Sequence, residues 1–236
     1  MTSSLVRRCT LVGPVLLVGS LMTMPAEGVS QTVPSPIRRI EQGQEAGLFA
    51  GTVVAGRGRF GFGPGSGFGT GGRYSIELSG PLSLEGVLSA LSMTRNVIDP
   101  ELGEGARVAG EADALLVASE LRFKFSLTGR RTWRGISPHV LIGGGFLFDA
   151  AGEQADDGRI LEQDRFEFGN KFGGTVGGGV RWLVSDGLTL RGDAVVNLFQ
   201  LETPSGFAEV DRGFDNVEEA QWTNLLQITF GAALRF

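Results

Sequence analysis

From Gln221 to Phe236 the chain alternates. Trp222, Leu226, Ile228, Phe230, Ala232, Leu234 and Phe236 fall on even positions, with Asn224 the one polar member, while the odd positions include Gln221, Thr223, Gln227, Thr229 and Arg235. A period of two is the mark of a strand with one apolar face. The run greatly exceeds the roughly five or six residues of an average strand, so it needs partners along its whole length.

Seven further segments carry the same period. Residues 45–55 are apolar on both parities, so their facing stays open. Residues 72–79 set Tyr74, Ile76 and Leu78 against Arg73, Ser75 and Glu77. Residues 82–90 set Leu82, Leu84, Leu88 and Ala90 against Ser83, Glu85 and Ser89. In 112–125, Leu115, Val117, Leu121, Phe123 and Phe125 oppose Glu120, Arg122 and Lys124. In 137–148, Val140, Ile142, Phe146 and Phe148 oppose His139 and glycines. In 166–184, Phe168, Phe172, Val176, Val180 and Trp182 oppose Glu167, Lys171, Thr175 and Arg181. In 188–201, Leu188, Leu190, Ala194, Val196 and Leu198 oppose Thr189, Arg191, Asp193 and Asn197.

The connectors alternate too. Short ones fall at Gly80-Pro81, at 128–135 and at Ser185-Asp186-Gly187; those after the first, third, fifth and seventh segments are expected to run beyond a dozen residues. An even strand count with short turns at one end and long loops at the other predicts an all-β fold, an eight-stranded antiparallel up-and-down transmembrane β-barrel. Helices are excluded by the period and by the glycine content of the segments.

Two arrangements satisfy the alternation. In a membrane barrel the polar faces turn inward, and Arg73, Glu77, Glu85, Glu120, Arg122, Lys124, Glu167, Lys171, Arg181, Arg191, Asp193 and Arg235 form a lumen charge network. Charges so confined must pair; Asp193 is expected to meet Arg191 and, across the turn at 185–187, Arg181. In a soluble lipocalin-like carrier the apolar faces would line the interior instead. Strand lengths near the roughly 9–11 residues that cross a bilayer favour the membrane, as do aromatic residues at strand ends (Phe148, Phe166, Trp182, Phe236).

The first residues supply a route to a membrane. Arg7-Arg8, an apolar stretch over 9–24 and the small-residue site at Ala26-Glu27-Gly28 read as a cleaved signal peptide over 1–28. Residues 29–43 follow as an N-terminal periplasmic segment, and 44–236 as the barrel domain. Cys9 is the only cysteine, which excludes a disulfide framework. The net charge of −5 excludes a basic nucleic-acid binder. No second apolar run has helix-spanning length, so any crossing of the membrane uses strands.

Little of the chain reads as chemistry. Residues 56–61, GRGRFG, match a dinucleotide fingerprint, yet glycines follow where the phosphate-binding helix would have to start. Residues 57–71 read instead as a surface loop whose Phe60, Phe62 and Phe68 touch lipopolysaccharide or fold over the barrel mouth. His139, the single histidine, reads as a lumen hydrogen-bonding group rather than a catalyst. Seventeen of the 26 acidic residues fall in windows 99–113, 149–164 and 202–219, read as acidic extracellular loops. No metal or cofactor motif is present.

With its leader, eight amphipathic segments and the closing ITFGAALRF, the chain resembles small outer-membrane β-barrel proteins of the OmpA/OmpX type. The resemblance implies that Ile228, Phe230, Leu234 and Phe236 form the signal read by the barrel-assembly machinery. It further implies a monomer among outer-membrane lipid and lipopolysaccharide, with a possible surface ligand; the chain departs from full OmpA-like architecture in that no peptidoglycan-binding domain is expected, so wall anchoring is not implied. The expected function is structural or surface-interacting and not enzymatic, with a plugged interior. A narrow channel for small or hydrophobic solutes, a lipid-modifying barrel enzyme and the soluble carrier remain alternatives.

Overall fold

Long alternating segments leave a backbone donor and acceptor at every residue, and in this chain each segment finds a partner on both sides. The computed structural model describes residues 35–40, 43–102, 107–152, 155–209, 212, 214 and 216–236; the expected signal peptide lies outside them. Eight long strands are β2 (Gln44–Ala55), β3 (Pro64–Ser79), β4 (Leu82–Ile98), β5 (Val108–Ser126), β7 (Ile136–Asp149), β8 (Asn170–Leu183), β9 (Leu188–Glu202) and β10 (Ala220–Arg235). Two three-residue strands, β1 (Ile37–Arg39) and β6 (Arg131–Trp133), form a ribbon beside them.

All pairings between the long strands are antiparallel; each long strand pairs with the next along the chain, and β10 closes the ring on β2 from Leu225↔Ala55 to Arg235↔Glu45. This is an eight-stranded up-and-down barrel. Its closure leaves no free edge among the long strands, as an apolar solvent requires.

Closure also settles the facing of β2. Glu45, Phe49 and Val53 point inward, whereas Leu48 and Val54 point outward. Across the barrel the outer wall is apolar: Leu48, Phe172, Ile142, Leu121, Phe146 and Phe230 are each more than 60% exposed. Glu85 and Lys124 have no exposure at all. That distribution rules out the soluble-carrier arrangement and makes the wall a surface for lipid.

Several boundaries differ from the sequence reading. Strand β3 begins at Pro64, so Phe68 stands on the outer wall rather than in a loop, and the first loop shrinks to 56–63. Strands β4 and β5 run on to Ile98 and from Val108, which shortens the second loop to 99–107. Only the loops at 150–169 and 203–219 are as long as expected. The sixth segment begins at Asn170, not residue 166. Gly169 has φ +62°, which breaks the strand and reverses the facing: Phe166 and Phe168 are buried and Glu167 is exposed. Phe166 therefore leaves the set of lipid-facing aromatics.

At 17 and 19 residues, β4 and β5 outrun the bilayer. Along β5 the outward side chains from Leu115 to Phe125 are apolar save for Ser119, then acidic at Asp113 and Glu111. The inward ones change nearer the turn, between Glu120 and Ala118, from Glu120, Arg122 and Lys124 to Ala118, Leu116, Ala114 and Ala112. Strands β4 and β9 switch alike, reaching Leu91 and Met93, and Phe199 and Leu201, inside. Below the switch the barrel is built for lipid; above it, for water.

Candidate functional site: the barrel interior

The interior has two floors. On the lower one, toward the short turns, Asp193 of β9 is the hub. It accepts from Arg73 Nη1 of β3 at 2.5 Å, from Arg191 Nε at 2.9 Å, and pairs with His139 Nε2 of β7 at 2.8 Å. Arg191 also forks onto Glu85 of β4, with Nη2 donating to Oε1 at 3.1 Å and Nη1 to Oε2. Lys124 Nζ lies 3.6 Å from Glu85 and donates to Ser75 Oγ at 3.2 Å. A bidentate fork is the strongest geometry open to arginine and carboxylate. It ties opposite walls of the barrel, since Arg191 and Glu85 sit on non-adjacent strands.

A second cluster lies above. Glu120 takes both Arg122 Nη2 (2.8 Å) and Nε (3.1 Å), and also accepts from Thr175 Oγ1 (2.5 Å) and Asn197 Nδ2 (2.9 Å). Gln227 Nε2 donates to Asn197 Oδ1 at 3.2 Å, which joins β10 to the cluster. Close approach of the backbones makes room for these side chains. At Gly179, opposite Asp193, a Cβ would stand 2.3 Å from the aspartate Oδ1.

Arg181 does not meet Asp193, as the sequence reading expected. It lies opposite Arg191 on the neighbouring strand, and repulsion between the two cations is avoided because Arg181 turns to Glu45 Oε2 at 3.2 Å. Lys171 sits near the loop end, where Nζ donates to Glu202 at 2.5 Å, apart from the network. Glu77 and Arg235, at the short-turn rim, are half-buried and outside it, and Glu167 faces solvent. Ile228, Phe230, Leu234 and Phe236 form an exposed row on the outer face of β10.

The alternation already set Ser75 and Gln227 on inward faces, but sequence reasoning missed Glu45 as a member of the network. Glu45 lay in the segment whose facing was ambiguous. It also missed the upper floor, where Val53, Leu91, Met93, Leu116, Leu147, Phe199, Leu201 and Leu225 pack with Phe62, Phe166, Phe168 and Phe207 from the loops. The detectable signal was the switch of each parity in turn along the long strands, which a single-parity count overlooks. Phe62 stacks on Phe166 at 4.6 Å between centroids, and Phe60 meets Phe207 at 5.0 Å. Loop ion pairs cover this cluster: Arg95 Nη2 to Asp157 at 2.5 Å, and Arg212 to Asp164 (2.5 Å), Glu209 (2.9 Å) and Glu101 (3.7 Å).

His139 Nε2 is held by Asp193, and its Nδ1 is buried with no hydrogen-bond partner among the described residues. No group of histidine, cysteine or carboxylate side chains among the described residues is placed to hold a metal ion.

No family model matches the chain, and no curated protein matches it. Solved structures do. The outer membrane protein OprG from Pseudomonas aeruginosa aligns at 12% identity and a TM-score of 0.53, over 86% of this chain and 99% of that one. Neisserial surface protein A aligns at 12% identity and 0.49, over 82% and 97%. A major outer membrane protein from Thermus thermophilus aligns at 18% and 0.40, over 82% and 99%. At such identities the likeness speaks for the fold.

Proposed function

We propose, on the premise that the chain has the fold of small eight-stranded outer-membrane β-barrels, that it is a closed integral barrel of the outer membrane with a structural or surface-interaction role. The observation that carries this reading is the double filling of the interior. Ion pairs with side chains almost fully buried bridge its lower floor, and aromatic and aliphatic packing fills the upper one. An eight-stranded barrel is just narrow enough to be filled by side chains in this way. A buried Arg–carboxylate fork does not yield readily to a passing solute, because an unpaired charge left behind is costly.

The surface offered to partners is the loop end. Glu101, Glu162, Glu167, Glu209, Glu218 and Glu219 lie there, all exposed, while Asp157 and Asp164 are turned inward to hold the loops. An acidic rim suits divalent cations shared with lipopolysaccharide, or a basic surface ligand. The outward row Ile228, Phe230, Leu234 and Phe236 is the feature on which recognition by the assembly machinery would rest. No catalytic role is assigned. Conductance across a planar bilayer tests closure: the protein should give no steady channel, and reproducible open steps would overturn the reading.

A further inference from the structure

The short-turn end carries a ribbon that barrel closure does not require. Strand β1 pairs with β6 in the register Ile37↔Trp133, Arg38↔Thr132 and Arg39↔Arg131. Backbone bonds clamp both ends: Arg134 N–H donates to the Pro36 carbonyl and Ile40 N–H to that of Arg130, each at 2.8 Å. Ile40 is buried, which anchors the strand beneath the barrel.

One face of the ribbon continues the lipid-facing wall. Trp133 pairs with Ile136, and Ile136 with Trp182. Ile37, Trp133, Ile136 and Trp182 are 54%, 58%, 37% and 50% exposed, so they form an apolar strip with two indoles at the rim. Tryptophan settles where hydrocarbon meets headgroups. On that same face Arg39 lies directly opposite Arg131, and both are exposed. Like charges in facing positions destabilise a strand pair, and neither arginine forms an ion pair among the described residues. Arg134 is exposed beside them, 5.1 Å over the Trp133 ring. A chain of net charge −5 thus gathers, at one rim and next to indole rings, cations that form no ion pair among the described residues.

We infer that this ribbon is a binding surface for the phosphate headgroups of anionic phospholipids in the leaflet at the short-turn end. Short turns face the periplasm in barrels of this type, which makes it the inner leaflet of the outer membrane. This assignment rests on the outer-membrane reading above. A lipid phosphate between Arg39 and Arg131 removes their repulsion and accepts from both guanidinium groups. The acyl chains then lie along Ile37, Trp133, Ile136 and Trp182. The lipid is favoured over a soluble anion because the arginines and the strip share one face.

The test uses the full chain refolded in phosphatidylcholine vesicles, with spin-labelled phosphatidylglycerol or phosphatidylcholine as probe. Electron paramagnetic resonance reads the label held at the protein surface. At low salt phosphatidylglycerol should be preferred about three- to tenfold, and the preference should shrink as salt rises past about 0.1 M. The R39Q/R131Q double variant should lose it, whereas R39K/R131K and the loop control R107Q should keep it. Heat-dependent gel mobility confirms that each barrel has closed, and the wild-type salt series stands should the glutamine variant not fold. Equal binding of the two lipids by a closed wild-type barrel would overturn the inference, as would a preference that survives R39Q/R131Q. Soluble glycerol phosphate bound in detergent and lost in that variant would assign the arginines to a free anion instead. A wild-type chain that never closes in vesicles would sink the membrane-barrel reading itself, a separate failure.

Discussion

Replacing Asp193 with alanine removes the hub of the lower floor. Three donors lose an acceptor: Arg73 Nη1, Arg191 Nε and His139 Nε2. They do not lose equally. Arg191 keeps its fork on Glu85, and His139 can stay neutral. Arg73 loses the one carboxylate with which it forms an ion pair among the described residues and keeps the Phe49 ring, 4.7 Å from its guanidinium carbon, and the more distant charge of Glu85. Its side chain is 5% exposed, so water compensates little. Removing one partner of a buried pair costs about 3–5 kcal/mol. The contact with Phe49, worth about 1 kcal/mol, puts this case at the low end, near 3 kcal/mol. With a urea slope of about 2 kcal/mol/M the unfolding midpoint falls by about 1.5 M. The assay is urea unfolding of the refolded barrel in vesicles, followed by tryptophan emission and gel mobility. D193N, which retains an acceptor but not the charge, should lose less. Glu167→Ala, on an exposed loop position, should change stability by no more than about 0.5 kcal/mol. If D193A falls in that range as well, the pairing with Arg73 does not stabilise the barrel and the reasoning fails.

On the outer wall, Leu226 pairs with Val196, while their neighbours Gln227 and Asn197 are buried. A lipid-soluble quencher should reach probes at Leu226 and Val196 only, and Leu226→Arg should cost about 2–4 kcal/mol; the reverse accessibility would turn the wall inside out. In the upper floor, Phe207→Ala removes a ring in contact with Phe60, Phe62 and Phe214. A loss of about 3 kcal/mol or more is expected, read as faster proteolysis in 203–219 with the barrel intact. Arg212→Gln unties Asp164, Glu209 and Glu101 and should speed proteolysis of the loops around them. Unchanged cleavage would mean that the ion pairs do not hold the mouth.

Alternation alone fixed the class of this protein. A period of two, repeated in eight segments with short and long connectors in turn, leaves few folds besides an up-and-down barrel. It likewise assigned most side chains to a face within the bilayer, because there one parity must meet lipid and the other cannot. Outside that layer the rule loses its force. From Val87 to Val97 in β4 the inward residues become largely apolar while the outward ones turn polar, since water replaces lipid outside and packing replaces charge within. The strand direction never changes, only the solvent. At Gly169 a single positive φ sufficed to turn Phe166 and Phe168 inward, a conformational choice that residue types do not encode in their spacing.

Partner choice in the lumen belonged to the tertiary structure altogether. The alternation placed Arg181, Arg191 and Asp193 on inward faces but could not say that Arg181 reaches Glu45, 136 residues away along the chain. Which charges meet depends on barrel closure and stagger, and those are set by the pairing of β10 with β2. The ribbon of β1 and β6 follows the same logic. Three residues have no period to read, and only the closed barrel holds Arg39 opposite Arg131 and sets Trp133 beside the wall.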